Sequence, residues 1–170
     1  MIEQERTFLA KHLPDLRACP CEEIIDIFIP ADSRHPCLRI RKKGGQMEIT
    51  KKQPIDGDPS KMREDTIPLT EKEFSVLSQV HGRKTHKKRY RYDSEGHSAE
   101  IDVFEGPLAG LVLVDFEFEN TEEKQRFTMP DFCLAEVTHE EFVAGEYICG
   151  KCYQDIEEKL DSYGYRKIQQ

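Results

Sequence analysis

Apolar and polar residues alternate one for one along much of the first 120 positions of this 170-residue chain. The stretch VDFEFE at 114–119 is the clearest case: Val114, Phe116 and Phe118 alternate with Asp115, Glu117 and Glu119. Successive side chains of a strand point to opposite faces, so the three acids must share one. Like charges on one face repel unless something positive lies among them. That face looks either at water, as half-buried strands usually do, or at a cation.

The same reading predicts strands over 2–8, 23–29, 37–42, 46–52, 63–69, 86–92, 98–104 and 111–119. Loop-like stretches cover 30–36, 53–61, 94–98 and 120–131. Helix signals are fewer. Thr70 with Glu73 forms a capping box, Thr138 with Glu141 forms another, and apolar spacing predicts a last helix over about 147–162. Eight antiparallel strands with few helices imply a closed sheet or a sandwich. The expected class is β-rich α+β, with one domain over 1–170.

Sorting of charge sign sharpens the picture. Glu3 and Glu5 share a face, as do Glu100 and Asp102, and Asp115, Glu117 and Glu119. Arg39 and Arg41 share another, as do Lys87, Arg89 and Arg91. A solvated face usually mixes signs within each strand, whereas these strands carry acids only or bases only. If the strands close into a barrel, these faces line its lumen and the helices cover the apolar faces from outside. Clustered carboxylates suit a hard divalent ion such as Mg²⁺ or Mn²⁺. Arg and Lys opposite them suit a polyanion, most naturally several phosphates. A metal bridging the two through phosphate oxygens is the arrangement that metal-assisted phosphoryl chemistry needs.

Composition removes other classes. With 33 acids against 25 Lys and Arg, net charge −8, general nucleic-acid binding is not expected. RKTHKKRYRY is basic, but alternation splits its charges between two faces. No apolar run approaches the roughly 20 residues of a spanning helix, and the N-terminus shows no apolar signal core, so a cytoplasmic protein is expected. Six cysteines include the pairs Cys19/Cys21 and Cys149/Cys152, far apart in the chain, and read as reduced thiols rather than a zinc site.

IEQERTF, LRIR, EITK, KKRYRY, EIDVFEGPLAGLVLVDFEFE and AEVTHEEF follow one another in the order of a known family. Over residues 1 to about 145 the chain resembles a CYTH-domain protein, a triphosphate tunnel metalloenzyme, closest in look to small inorganic tripolyphosphatases. The resemblance implies an eight-stranded antiparallel tunnel that acts on a triphosphate (tripolyphosphate, thiamine triphosphate or ATP) with Mg²⁺ or Mn²⁺. It implies Glu3, Glu5, Asp115 and Glu117 at the metal, with Glu117 and Asp115 also positioning the attacking water. Arg39, Arg41, Lys51, Lys87 and Arg89 would grip the phosphates, and Asp102 would orient those bases. Glu64, Arg91, Glu100 and Glu119 are further candidates. Glu136 is either a site residue or a brace at a strand end.

Two positions depart from the family pattern. Asp115 replaces a glutamate, which keeps the charge on a shorter arm. Thr7 stands where the family has a lysine, removing one cation from the site; Lys11 and Lys151 are the candidates to replace it. The rival readings are therefore an adenylate cyclase, a thiamine or nucleoside triphosphatase, and a tunnel that binds polyphosphate or nucleotide without cutting it.

Overall fold

The computed structural model describes residues 4–32, 37–55, 58–94 and 96–169, with side chains described except at 4 and 52–64. The strands are β1 (Gln4–Ala10), β2 (Cys21–Ile29), β3 (Cys37–Lys43), β4 (Gln46–Ile55), β5 (Asp58–Pro68), β6 (Arg83–Ser94), β7 (His97–Phe104), β8 (Val112–Phe118) and β9 (Cys133–Glu136). The α-helices are α1 (Glu71–Leu77), α2 (Thr121–Arg126), α3 (Gly145–Ile148) and α4 (Glu157–Ser162). All eight expected strands are present. None of the described helices is long and apolar enough to cross a membrane.

The strands form one nine-stranded antiparallel sheet in the order β5-β4-β3-β2-β6-β7-β8-β1-β9. This corrects the expectation of a closed eight-stranded barrel. The ladder ends on β5 at one side and β9 at the other, and the outer edge of β1 pairs with β9. Four residues long, β9 carries too little alternation to be recognised in the sequence. The expected loop at 53–61 is mostly strand, because β4 and β5 pair, through a register shift, as far as Ile55 and Asp58.

One face of the sheet is apolar along most of its length. On β1, β7 and β8 it holds Phe8, Ile101, Val103, Val112, Val114, Phe116 and Phe118, packed with Phe127 and Phe132. The segment that supplies these last two includes α2, which Asn120 caps by accepting from the Glu123 N–H at 2.9 Å. At six residues this helix is too short for its apolar spacing to show in sequence. On β2 and β3 the same face holds Ile27 and Ile40, covered by Phe74 of α1. The expected capping box is formed there: Thr70 and Glu73 cap each other reciprocally.

The other face is charged, but apolar at one end. Leu9, Phe104 and Leu113 pack there against Val137, Phe142, Val143, Ile148, Ile156, Leu160 and Tyr165. The buried Tyr165 hydroxyl donates to the Gly110 carbonyl at 2.7 Å and accepts from the Val112 N–H at 2.8 Å, tying the C-terminal segment to the sheet. This segment is not the continuous helix expected over 147–162. It comprises short 3₁₀ turns at Glu141–Val143 and Tyr153–Asp155 with α3 and α4 between and after them. Gly150, with φ of +82°, ends the first half, and Asp155 accepts from the Cys152 N–H at 2.8 Å to start the second. The expected cap by Thr138 is likewise absent: its hydroxyl donates to Glu136 instead, at 2.7 Å.

Gly150 also lets this segment approach β6. Its N–H donates to the Lys84 carbonyl at 3.0 Å, and a Cβ at position 150 would lie 2.8 Å from the Arg83 Cβ and 3.2 Å from its Cα. Gly150→Ala thus combines a left-handed backbone strain with a backbone clash. It is expected to cost about 2–3 kcal/mol, read as a thermal midpoint lower by roughly 5–10 °C. A midpoint within 2 °C of the parent would refute the role assigned to this contact.

Candidate functional site

Across the sheet, charge sign is sorted by strand on the face that the C-terminal segment leaves open. Register places Arg39 beside Thr50 and Arg41 beside Glu48 of β4. Asp26 of β2 stands beside Arg41, and Glu22 beside Arg89. Arg89 and Arg91 of β6 oppose Asp102 and Glu100 of β7. Glu100 then opposes Asp115 of β8, and Asp115 and Glu117 oppose Thr7 and Glu5 of β1. Bases therefore lie on β3 and β6, with acids between and beyond them, most densely on β7, β8 and β1.

The centre is Asp102, whose side chain is only 2% exposed. It accepts from Lys87 Nζ and takes a bidentate grip from Arg89, at 2.6 Å from Nε and 2.7 Å from Nη2. Arg89 Nη1 donates to Glu100, and its Nη2 lies 3.6 Å from Asp115. Burial alone would raise the Asp102 pKa, but the charges and hydrogen bonds of Lys87 and Arg89 outweigh it and hold the carboxyl below its ordinary value. Burial likewise disfavours the Arg89 charge, and Asp102, Glu100 and Asp115 more than compensate.

Asp115 is held differently. Thr7 Oγ1 donates to its Oδ1 at 2.7 Å. Burial, followed by the charge of Asp102, pushes its pKa up to about 6 against the opposing effects of Thr7, Lys87 and Arg89. Thr7 is thus tied into the site by a hydrogen bond where the resemblance implies a cation. Its N–H donates to Thr138 Oγ1 at 3.1 Å, joining it to the Glu136 carboxylate behind.

Two cavities flank this centre. One, of about 290 Å³, is lined by Glu5, Thr7, Lys87, Asp102, Asp115 and, from the C-terminal segment, Val143 and Ile148. The other, of about 430 Å³, is lined by Arg91, Glu100, Glu117 and Glu119. The C-terminal segment therefore closes off one end of the charged face.

Most of the candidate residues meet here, with four qualifications. Lys51 does not: it pairs with Leu38 on the apolar face, in step with Ile49, whereas Thr50 takes the position beside Arg39. Alternation within EITK already separates Lys51 from Thr50. Glu136 serves as the brace. It forms a bidentate pair with Arg6 at 3.1 and 2.6 Å on the apolar side, where Arg6 also lies over Phe8 and Phe127. Glu3, and the side chain of Glu64, lie outside the described residues. Of the lysines considered as substitutes for Thr7, Lys11 is exposed beyond β1 and Lys151 sits over the Tyr147 ring.

Asp26 was missed. It is 6% exposed and receives Arg41 Nε at 2.7 Å and Nη2 at 2.8 Å. The available signal was a single acid inside the apolar run IIDIF, because a buried carboxylate requires a partner. Burial works against the Arg41 charge, but the Asp26 carboxylate more than offsets it. Arg39 lacks such an anchor: its Nη2 lies 3.6 Å from Glu48, and its buried Nε finds no acceptor among the described residues. A buried unmet donor on a guanidinium is a costly feature that an incoming anionic oxygen would relieve.

The donor set for a metal is chemically apt. Glu5 and Glu117 face each other across the β1–β8 pair, one position along from Asp115, and directly opposed like charges are relieved by a cation between them. All are hard oxygen donors of the kind Mg²⁺ and Mn²⁺ prefer. Among the described residues no three acids, histidines or cysteines converge closely enough to hold an ion unaided, so substrate oxygens or Glu3 would have to complete the shell.

No family model matches the chain. It is 34% identical over 144 residues to an inorganic triphosphatase of Nitrosomonas europaea, a match covering 82% of this chain and 91% of that protein. Two crystal structures share its fold. One, of a protein described as hypothetical, has a TM-score of 0.75 at 27% identity, covering 89% of this chain and 99% of the other. The second, of an inorganic triphosphatase, has a TM-score of 0.73 at 25% identity, covering 89% and 96%.

Proposed function

This chain belongs to the CYTH-domain triphosphate tunnel family, and from that premise we propose that it hydrolyses inorganic tripolyphosphate with the help of Mg²⁺ or Mn²⁺. The activity class follows the inorganic triphosphatase to which it is similar. The observation that carries the substrate assignment is the juxtaposition of cations set by buried aspartates, Lys87 and Arg89 on Asp102 and Arg41 on Asp26, with a carboxylate-rich strand pair. Preset cations neutralise phosphates without reorganising, which is how most phosphoryl-transfer catalysis is achieved.

In this reading Arg39, Arg41, Lys87 and Arg89 hold the phosphate chain, Arg39 offering its unmet Nε. Glu5, Asp115 and Glu117 would hold the metal, which supplies charge neutralisation at the phosphate oxygens. A water oriented by the Glu117 and Asp115 carboxylates bonds to the terminal phosphorus as the bridging P–O bond breaks. Its proton passes to a carboxylate, and pyrophosphate leaves with the bridging oxygen. This route requires no serine or cysteine nucleophile, and the buried Cys149 thiol is pushed up to about 11 and donates to the Arg83 carbonyl at 3.1 Å.

The rival reading, a tunnel that binds without cutting, rests on Thr7. Phosphate release is expected from tripolyphosphate with Mg²⁺ or Mn²⁺, none with EDTA, and at least a 100-fold loss in Glu117→Gln, a magnitude typical of removing a water-positioning group. Thr7→Lys is expected to bring no gain, because a lysine there breaks the bond to Asp115 and crowds Lys87. A large gain in that variant, from an inactive parent, would establish the binding reading instead.

A further inference from the structure

Arg41 and Arg89 are both largely buried, and the Arg89 charge works against that of Arg41. A pair of like charges on one face splays apart unless each is anchored. The Arg89 anchor, Asp102, was legible in sequence. The Arg41 anchor is Asp26, flanked in its strand by Ile24, Ile25, Ile27 and Phe28.

The way Asp26 holds Arg41 is specific. Its two oxygens occupy Nε and Nη2 of the guanidinium. A planar guanidinium gripped on that edge has a fixed plane and direction, and Nη1 is the edge left for another ligand. Arg39, two residues along the same strand, has no such grip among the described residues. The two arginines of LRIR therefore differ in kind: one is set rigidly before substrate arrives, and the other has an unmet donor to be satisfied on arrival.

We propose that Asp26 is a positioning residue of the triphosphate site, fixing the Arg41 guanidinium so that its Nη1 edge is presented to a phosphate. This rests on the triphosphatase reading above. It carries a signature that simple binding does not. The Asp26 carboxylate cancels charge as well as orienting it, so its removal leaves the face more positive and less ordered. Ground-state attraction of a polyanion is kept or strengthened, while the aligned geometry that the transition state requires is lost.

The test compares Asp26→Asn, Asp26→Glu and Arg41→Ala with the parent protein. Steady-state tripolyphosphate hydrolysis is measured at two salt concentrations, tripolyphosphate binding by calorimetry in EDTA, and the Arg41 Nε–H by NMR. Asp26→Asn is expected to lower kcat at least about tenfold, as for a misplacement of an ångström or less, with KM and Kd unchanged or lower and a steeper salt dependence. Asp26→Glu keeps the charge, and is expected to restore the parent's KM and salt dependence while kcat stays down. Arg41→Ala should instead raise KM and Kd. The Arg41 Nε–H should be exchange-protected in the parent and lose that protection in Asp26→Asn.

Folded Asp26 variants with the parent's kcat would overturn the proposal, as would a Kd for Asp26→Asn weakened as far as in Arg41→Ala. If Asp26→Asn does not fold, Asp26→Glu and the NMR signal decide. A parent that binds tripolyphosphate without cutting it would sink the hydrolase reading alone. In that event, loss of Arg41 Nε–H protection in the Asp26 variants still upholds the positioning, and its persistence still overturns it.

Discussion

Asp102→Asn is expected to be the most destabilising change on the charged face, by about 3–5 kcal/mol, the usual result of removing one partner from a buried ion pair. The substitution leaves Lys87 and Arg89 side by side, 15% and 18% exposed, with Glu100 and Asp115 as their remaining acidic neighbours. The pH dependence has a definite sign. Because the folded Asp102 pKa lies below the ordinary value, its contribution is present above the unfolded pKa, near 3.9, and is lost as pH falls through the folded one. The gap between parent and variant should therefore be full at pH 7 and shrink below about pH 4. Urea unfolding at both pH values measures it. A variant within 1 kcal/mol of the parent at pH 7 would show that the lysine and arginine do not depend on this carboxylate.

Asp115→Asn is expected to act in opposite directions on stability and activity. Asp115 is pushed from 3.8 to about 6 in the folded chain, so the native state binds its proton more tightly than the unfolded state does. Stability linked to this group is complete below about pH 4 and is lost as pH rises through about 6. A shift of about two units corresponds to about 3 kcal/mol of strain at neutral pH. Asparagine carries no charge, fills nearly the same volume and can still accept from Thr7. In EDTA at pH 7.5 the variant should melt roughly 6–12 °C above the parent, with a much smaller difference at pH 4.5, while hydrolysis falls at least 100-fold. A variant that melts lower than the parent at pH 7.5 would show that Asp115 is not strained. On the reading proposed above this is a common trade between stability and activity, and a metal bound there would relieve it by supplying the missing positive charge.

Two residues show where sequence reading stopped. Lys51 was assigned to the phosphates by resemblance, yet it sits with Ile49 on the apolar face. Period-two alternation, applied inside EITK, was the more reliable guide because it follows directly from strand geometry. Asp26 failed in the opposite way: IIDIF alternates poorly, since both faces of β2 are apolar at that point, and nothing local announces that the acid belongs to Arg41, 15 residues away. The C-terminal segment failed for a third reason. Its apolar residues keep helical spacing, but Gly150 turns the chain in response to its close approach to Arg83, a contact that exists only once the sheet has formed.

The sequence by itself determined the eight main strands, their two faces and the sorting of acids and bases by strand, because each depends on neighbours one or two positions apart. It also determined the family, through motifs carried on those strands. Tertiary structure alone decided that the sheet stays open between β5 and β9, which base is gripped by which acid, and that Asp115 carries a raised pKa while Asp102, on the neighbouring strand, carries a lowered one. The reason is that pairing order and electrostatics sum over residues distant in the chain. A carboxylate's environment is set by what the register brings beside it, and register is a property of the whole sheet.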